Sequence, residues 1–66
     1  MPDLPIMRYF KFEHLPPSLQ EISRPFSELA ASAAARVADG ADVAETVAGL
    51  RKLLEAKDCI VRASLK

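Results

Sequence analysis

The sequence predicts an all-α fold: an antiparallel helical hairpin that follows an N-terminal aromatic arm and assembles into a homo-oligomeric helical bundle. Three observations predict it. Four of the five prolines lie in the first quarter of the chain, two later segments repeat apolar residues every three or four positions, and "ADGAD" separates those segments. Half of the residues are hydrophobic and only two are glycine, which is typical of a folded chain.

The length of 66 residues indicates a single domain over residues 1–66. Chains this short rarely bury enough surface alone, and usually depend on disulfides, a metal or oligomerisation. Cys59 is the single cysteine and His14 the single histidine, so an internal disulfide and a closed metal site are not expected. Oligomerisation is therefore the predicted route to stability, and no cofactor is expected.

Charge and hydropathy exclude several classes of function. Nine basic and nine acidic residues balance, whereas a protein that binds duplex nucleic acid by neutralising phosphates carries a basic excess. No apolar run reaches the length of a membrane span, and "MPDLPIMRYF" lacks the apolar core of a signal peptide. A cytoplasmic protein with no membrane partner is expected.

Residues 1–16 are predicted to form an irregular arm, because proline removes backbone donors and restricts its neighbours. Within the arm, "MRYFKF" alternates apolar or aromatic residues with basic ones. Such a pattern fits a short strand or an arm that packs on a neighbouring subunit. The arm is favoured, since an isolated strand has no edge to pair with.

The first helix is predicted over residues 17–39, with a kink or break near residues 24–25. Pro17 suits the first turn of a helix, whereas Pro25 removes a donor from the interior and crowds the preceding turn. The apolar stripe of this helix consists of Leu19, Ile22, Phe26, Leu29, Ala30, Ala33 and Val37.

The second helix is predicted over residues 43–63. Gly40 can adopt the left-handed conformation that ends a helix, and Asp42 with Glu45 forms a capping box for the next one. The stripe consists of Val43, Val47, Leu50, Leu54, Val61 and Leu65. At 100° per residue, Leu53 and Ile60 form a second apolar patch, so a homo-oligomer is expected to cover it.

Four charged residues lie along the second helix. Asp58 falls within the angular span of the apolar stripe, while Arg62 lies four residues after it and Glu55 four residues after Arg51, the spacing of helix ion pairs. One interpretation is a charge network at the core edge or a subunit interface, which can specify register. The other is that the arginines bind an anionic ligand, or, more remotely, that the carboxylates act in catalysis.

The arm offers a second candidate site. Arg8, Tyr9, Lys11, Phe12 and His14 interleave basic and aromatic side chains, a combination suited to stacking a base and neutralising a phosphate. The alternatives are that the aromatic residues only cover the hairpin and that His14 belongs to a turn. Glycine-rich phosphate loops and recognisable catalytic pairs are missing, so no enzyme is predicted.

Several ordered motifs resemble a known family. "FEHLPPSLQ", then "SELA", a hairpin turn and "LRKLLEAKDCIVRASL" are similar to small bacteriophage helical-hairpin proteins that sequester cyclic nucleotide signals. Members of that family counter CBASS or Thoeris immunity by binding the second messenger without cleaving it. The similarity covers residues 8–65 and is carried mainly by the "L-x-K-L-x-E-A" run that begins at Leu50 and by the aromatic–His–Pro segment before the first helix.

The resemblance implies a homo-oligomer, commonly a hexamer, that binds a cyclic dinucleotide or trinucleotide at its subunit interfaces in the infected bacterial cell. Tyr9 or Phe12 would stack on a base and Arg24 of the first helix would contact phosphate, with His14 nearby. The alternative is a small helical oligomerisation or protein-interaction module without a small ligand. A nucleic-acid-binding accessory factor is a third hypothesis.

Overall fold

A computed structural model describes residues 4–65, and every regular element within that range is helical. The predicted all-α class is confirmed, as is the packing of two long helices against each other. Residues 1–3 of the predicted arm lie outside the described range. In chain order, the elements are a 3₁₀ helix at Pro5–Phe10, α1 at Pro17–Ala35, a 3₁₀ turn at Arg36–Asp39 and α2 at Val43–Ala63.

Helix α1 runs without interruption through Pro25, so of the kink or break predicted near residues 24–25 the break does not occur. Proline leaves the carbonyl four residues earlier, that of Glu21, without its usual helical donor. Both residues lie on the exposed face of α1, where water can hydrate that carbonyl, so the helix continues. The α-helical part ends at Ala35, four residues before the predicted end, and the chain tightens into the 3₁₀ turn.

The connection between the helices uses the predicted capping residues. Gly40 has φ of 100°, a conformation that side chains with a Cβ rarely adopt. The Asp42 Oδ2 atom accepts a hydrogen bond of 2.8 Å from the Glu45 N–H, and the Thr46 hydroxyl donates to the Asp42 carbonyl at 2.7 Å. Helix α2 therefore begins immediately after a satisfied N-cap, at Val43.

The buried core is small and depends on the N-terminal segment. Its buried hydrophobic residues are Leu4, Phe10, Ala30, Ala34 and Leu50. Alanine side chains on α1 bring the α1 backbone close to α2, and the largest buried side chains are Phe10 and Leu50. Phe10 is only 1% exposed, so it acts as the main apolar contribution of the N-terminal segment to the hairpin core.

The N-terminal segment is more regular than predicted. Residues 5–10 form a 3₁₀ helix that packs on both helices of its own chain. The following residues are tied to α1 by Gln20, whose Nε2 donates to the carbonyls of Leu15 at 2.7 Å and Glu13 at 3.2 Å. The segment packs on the hairpin because burying Phe10 and Leu4 removes apolar surface from water. The periodicity of the sequence does not show which surface these two side chains would pack against.

None of the helices described in residues 4–65 combines the length and the apolar character needed to cross a membrane.

Replacing Pro25 with alanine should stabilise the protein. The substitution restores an N–H donor to the Glu21 carbonyl within a helix that is already continuous, and we expect the free energy of unfolding to rise by about 1–2 kcal/mol. Urea denaturation followed by circular dichroism measures the change.

Pro17→Ala is the matched control, because Pro17 lies at the start of α1, where the missing N–H has no helical acceptor. We expect it to change the unfolding free energy by less than about 1 kcal/mol, and in the destabilising direction. Destabilisation by Pro25→Ala would show that the proline ring contributes packing that outweighs the lost hydrogen bond.

Candidate functional site

Lys57 joins the N-terminal segment to α2. Its Nζ donates a hydrogen bond of 2.6 Å to the Tyr9 carbonyl and lies 5.7 Å from the centroid of the Phe10 ring. The residue is only 9% exposed, although lysine is rarely buried. Its ammonium is also 3.8 Å from the Asp58 Oδ1 atom. Lys57 therefore holds the end of the 3₁₀ helix against the hairpin.

The position of Lys57 follows from helix geometry. It lies seven residues after Leu50, two turns further along the same buried line of α2. A buried ammonium needs hydrogen-bond acceptors, and the Tyr9 carbonyl at the end of a 3₁₀ helix is an exposed backbone acceptor. The aliphatic stem of the lysine can cover apolar surface while its head reaches that carbonyl.

A first cavity, called here the Arg8–Arg51 cavity, opens between the 3₁₀ helix and α2 and has a volume of about 350 Å³. Arg8 and Arg51 bring two positive charges to it, and Arg8 and Tyr9 also line the next cavity along α2. No carboxylate among residues 4–65 lines it. Its walls consist of Pro5, Ile6, Arg8, Tyr9, Val47, Arg51 and Leu54.

A second cavity, the His14–Lys57 cavity, has a volume of about 310 Å³. It extends from the N-terminal segment to both helices, and its walls consist of Arg8, Tyr9, Lys11, His14, Leu15, Ser23, Lys57, Asp58 and Val61. Ser23 is 1% exposed, and its hydroxyl has no hydrogen-bond partner among the described residues. Both cavities share Arg8 and Tyr9.

Positive charge is concentrated around these two cavities. Among residues 4–65, their walls contain four lysine or arginine side chains but one carboxylate, that of Asp58, an excess of three positive charges. The whole chain has a formal net charge of zero, so the residues outside these walls carry the compensating negative charge. Tyr9 lines both cavities with 55% of its surface exposed, and the Arg8 Cζ atom lies 5.4 Å from the centroid of its ring.

The four residues predicted to bind ligand fall into two pairs. Tyr9 and His14 line the His14–Lys57 cavity together. Phe12 and Arg24 contact each other instead, with the Arg24 Cζ atom 5.4 Å from the centroid of the Phe12 ring, a cation–π arrangement. Neither Phe12 nor Arg24 lines the two cavities.

The predicted charge network along α2 is not formed within the chain. Asp58 lies outside the core, with its side chain 50% exposed, because the buried line of α2 passes through Lys57 one position earlier. Within residues 4–65, the contact between Lys57 and Asp58 is the only ion pair shorter than 4.0 Å. Arg62 donates to the Cys59 sulfur at 3.3 Å rather than to Asp58.

The remaining members of that predicted network separate. Arg51 lines the Arg8–Arg51 cavity, whereas Glu55 and Arg62 are exposed and line neither cavity. Exposed ion pairs four residues apart on a helix contribute only about 0.3–0.5 kcal/mol to stability. Such charged side chains therefore separate readily when other contacts compete.

Two residues of the site were missed by the sequence reasoning, Lys57 and Ser23. A signal for Lys57 existed, since it falls two helical turns after Leu50 on the apolar stripe. Lysine is usually solvated, so this spacing alone predicts nothing unusual. Ser23 lies between the apolar positions Ile22 and Phe26, and its burial depends on where the N-terminal segment packs.

In the part of the chain that the structure describes, no group of three or more histidine, cysteine, aspartate or glutamate side chains is arranged to hold a metal ion.

The chain matches no protein-family model, and comparisons with curated proteins and with solved structures found no similar protein.

Lys57→Met should loosen the N-terminal segment. Methionine keeps an unbranched apolar stem but leaves the Tyr9 carbonyl without its donor and removes the cation beside Phe10. We expect the free energy of unfolding to fall by about 2 kcal/mol. Trypsin cleavage after Arg8 and Lys11 should also become faster, because the segment leaves the hairpin more often.

Lys52→Met is the matched control, since Lys52 is an exposed lysine on the same helix. It should leave both the unfolding free energy and the cleavage rate near those of the wild type. If Lys57→Met behaved like this control, Lys57 would not be what holds the segment in place.

Proposed function

We propose that this protein binds a cyclic dinucleotide or trinucleotide without cleaving it, and so withholds an immune signal from bacterial anti-phage defence. The observation that carries the proposal is the excess of three positive charges around the exposed Tyr9 in a chain of zero net charge. The resemblance of residues 8–65 to phage proteins that sequester such signals supports it. The site of action would be the cytoplasm of the infected bacterium.

The chemistry of the two cavities suits a small phosphorylated ligand with a base. Tyr9 presents an accessible ring, and stacking on an aromatic ring contributes about 1–3 kcal/mol per base. Arg8 and Arg51 can donate paired hydrogen bonds to phosphate oxygens, which a lysine cannot reproduce. A long polyanion would need a more extended basic surface than this one.

The cavity volumes bear on the size of the ligand. At about 350 and 310 Å³, each cavity lies at the lower end of the range for small-molecule sites. One cavity would accommodate a single nucleotide unit, and a cyclic ligand of two or three units would reach across Tyr9 or towards a second subunit. The proposal therefore includes a homo-oligomer, with a hexamer favoured by the resemblance.

Phe12 and Arg24 form a separate, smaller recognition element in this proposal. Their side chains already contact one another, so Arg24 is held in place on the Phe12 ring. A pre-positioned guanidinium loses less conformational entropy when it binds phosphate. In an oligomer, this pair would meet the part of the ligand that extends beyond Tyr9 and His14.

Isothermal titration calorimetry against a panel of cyclic dinucleotides and trinucleotides tests the proposal. We expect saturable binding to at least one member, and recovery of the intact ligand after the protein is denatured by heat. Tyr9→Ala and Arg24→Ala should each weaken binding by about tenfold or more, because each removes a stacking or phosphate contact.

Arg62→Ala is the matched control, because Arg62, like Arg24, is an exposed helical arginine that lines neither cavity, but its guanidinium contacts the Cys59 sulfur and not the Phe12 ring. It should leave the affinity unchanged. Equal losses for Arg24→Ala and Arg62→Ala would indicate nonspecific charge attraction. Absence of heat across the whole panel, or recovery of a cleaved ligand, would contradict the proposal.

The second candidate function is a helical oligomerisation or protein-interaction module without a small ligand. Exposed apolar side chains favour it, namely Leu29, Val43, Ile60 and Leu65, which are 49–59% exposed. Failure of the nucleotide panel together with a defined protein assembly would establish this candidate in place of the first.

A further inference from the structure

We propose that a second copy of this chain docks, about a two-fold axis, on the face of the hairpin that the N-terminal segment leaves bare. The centre of this face is a groove of about 370 Å³ between the two helices, called here the hairpin groove. Leu29 and Ala33 line it from α1, while Gly49 and Leu53 line it from α2.

The N-terminal segment covers a different face. Its residues line the Arg8–Arg51 and His14–Lys57 cavities, and none of its described residues lines the hairpin groove. Leu29 is accordingly 57% exposed at the edge of the groove, and Ile60 is 49% exposed further along α2. The second apolar patch, predicted at Leu53 and Ile60, therefore continues onto α1 through Leu29.

The shape of the groove can receive an apolar side chain. A Cβ placed at Gly49 would meet no atom within 4 Å, so there is open space above this part of α2. On the α1 side of the groove, the small side chain of Ala33 leaves further space. In a two-fold arrangement, Leu29 of each copy enters the groove of the other, because such an interface uses the same patch on both subunits.

The charges at the groove point to a second copy rather than an unrelated partner. Arg36 and Glu45 both line it, are both exposed, and form no ion pair shorter than 4.0 Å within residues 4–65. The groove thus presents one positive and one negative side chain. A two-fold axis that runs along the helices keeps the turn ends of the two copies together, and it can place Arg36 of one copy opposite Glu45 of the other, twice.

The exposed area also favours self-association. A compact monomer of 7.2 kDa is expected to expose about 4,100 Å². This chain exposes 4636 Å² and buries few large hydrophobic residues. The molecule measures 40 by 19 by 16 Å, so one long side of the hairpin is comparable with the roughly 800 Å² that each partner contributes to a standard interface.

This self-association does not depend on the nucleotide proposed above, since the groove shares no residue with the two cavities around Tyr9. Failure of the nucleotide panel therefore leaves the docking face standing, and self-association through another face would leave nucleotide binding standing. Both can hold together, because docking through the groove leaves Tyr9 accessible to ligand or to further subunits.

Sedimentation equilibrium tests the proposal on three proteins: the wild type, the Leu29→Glu variant and the Leu65→Glu variant. Leu65→Glu is a matched control, because Leu65 is 59% exposed, like Leu29, but does not line the groove. We expect the wild type and Leu65→Glu to have an even number of subunits. Leu29→Glu should have half that mass or less. Its dissociation constant should rise by about 100-fold, because a two-fold interface would bury two glutamates in place of two leucines.

Charge reversal locates the interface independently. Arg36→Glu alone should weaken association by placing like charges together twice, and Arg36→Glu combined with Glu45→Arg in one chain should restore it. Circular dichroism verifies that each variant keeps its helices. If Leu29→Glu failed to fold, restoration by the reversed pair would still decide the question.

Three results would overturn the proposal: a wild type that stays monomeric up to millimolar concentration, a Leu29→Glu variant with unchanged mass, or charge-reversal variants that do not restore each other. The first result would indicate that the groove binds a different protein and not a second copy of this chain. The other two would place self-association on another face of the molecule.

Discussion

The docking of Phe10 against the hairpin is the interaction on which the rest of this structure depends. Two helices alone cannot enclose a core, and the buried hydrophobic residues of α1 are the small Ala30 and Ala34. Phe10 provides the large side chain that the helices lack, and Lys57 binds the carbonyl of the residue before it. Truncating a buried phenylalanine typically costs about 3–5 kcal/mol, which is comparable with the whole stability of a domain this small.

The same docking creates the candidate site. Anchoring Phe10 places Tyr9, its neighbour in the 3₁₀ helix, on the outside with Arg8 beside it. It also brings Arg51 to one side of Tyr9 and Lys57 to the other. Positive charge that is spread along the sequence therefore converges on one surface. The same docking leaves the hairpin groove near Leu29 uncovered. The position of the N-terminal segment therefore affects both the stability of the hairpin and the surface that remains for assembly.

The candidate site was only partly predictable. Tyr9 and His14 were recognised by residue type, and the structure places them along one cavity. The predicted charge group on α2 separates in the structure, with Arg51 lining a cavity and Arg62 outside both, since helical spacing identifies a face but not which edge of it meets a neighbour. Asp58 and Lys57 differ by 100° on the helix, and the N-terminal segment decides which of them is buried. Spacing along the chain contains no information on that contact.

By itself, the sequence determined the elements that depend on local chemistry. Gly40, the Asp42 cap and the apolar repeat of α2 act within a few residues, so the turn and the bounds of α2 follow from pattern. Only the tertiary structure decided that α1 continues through Pro25, because exposure of the Glu21 carbonyl to water determines the effect of the missing donor. It alone decided the path of residues 4–10, since hydrophobic burial has no direction and any apolar surface within reach could have received Phe10.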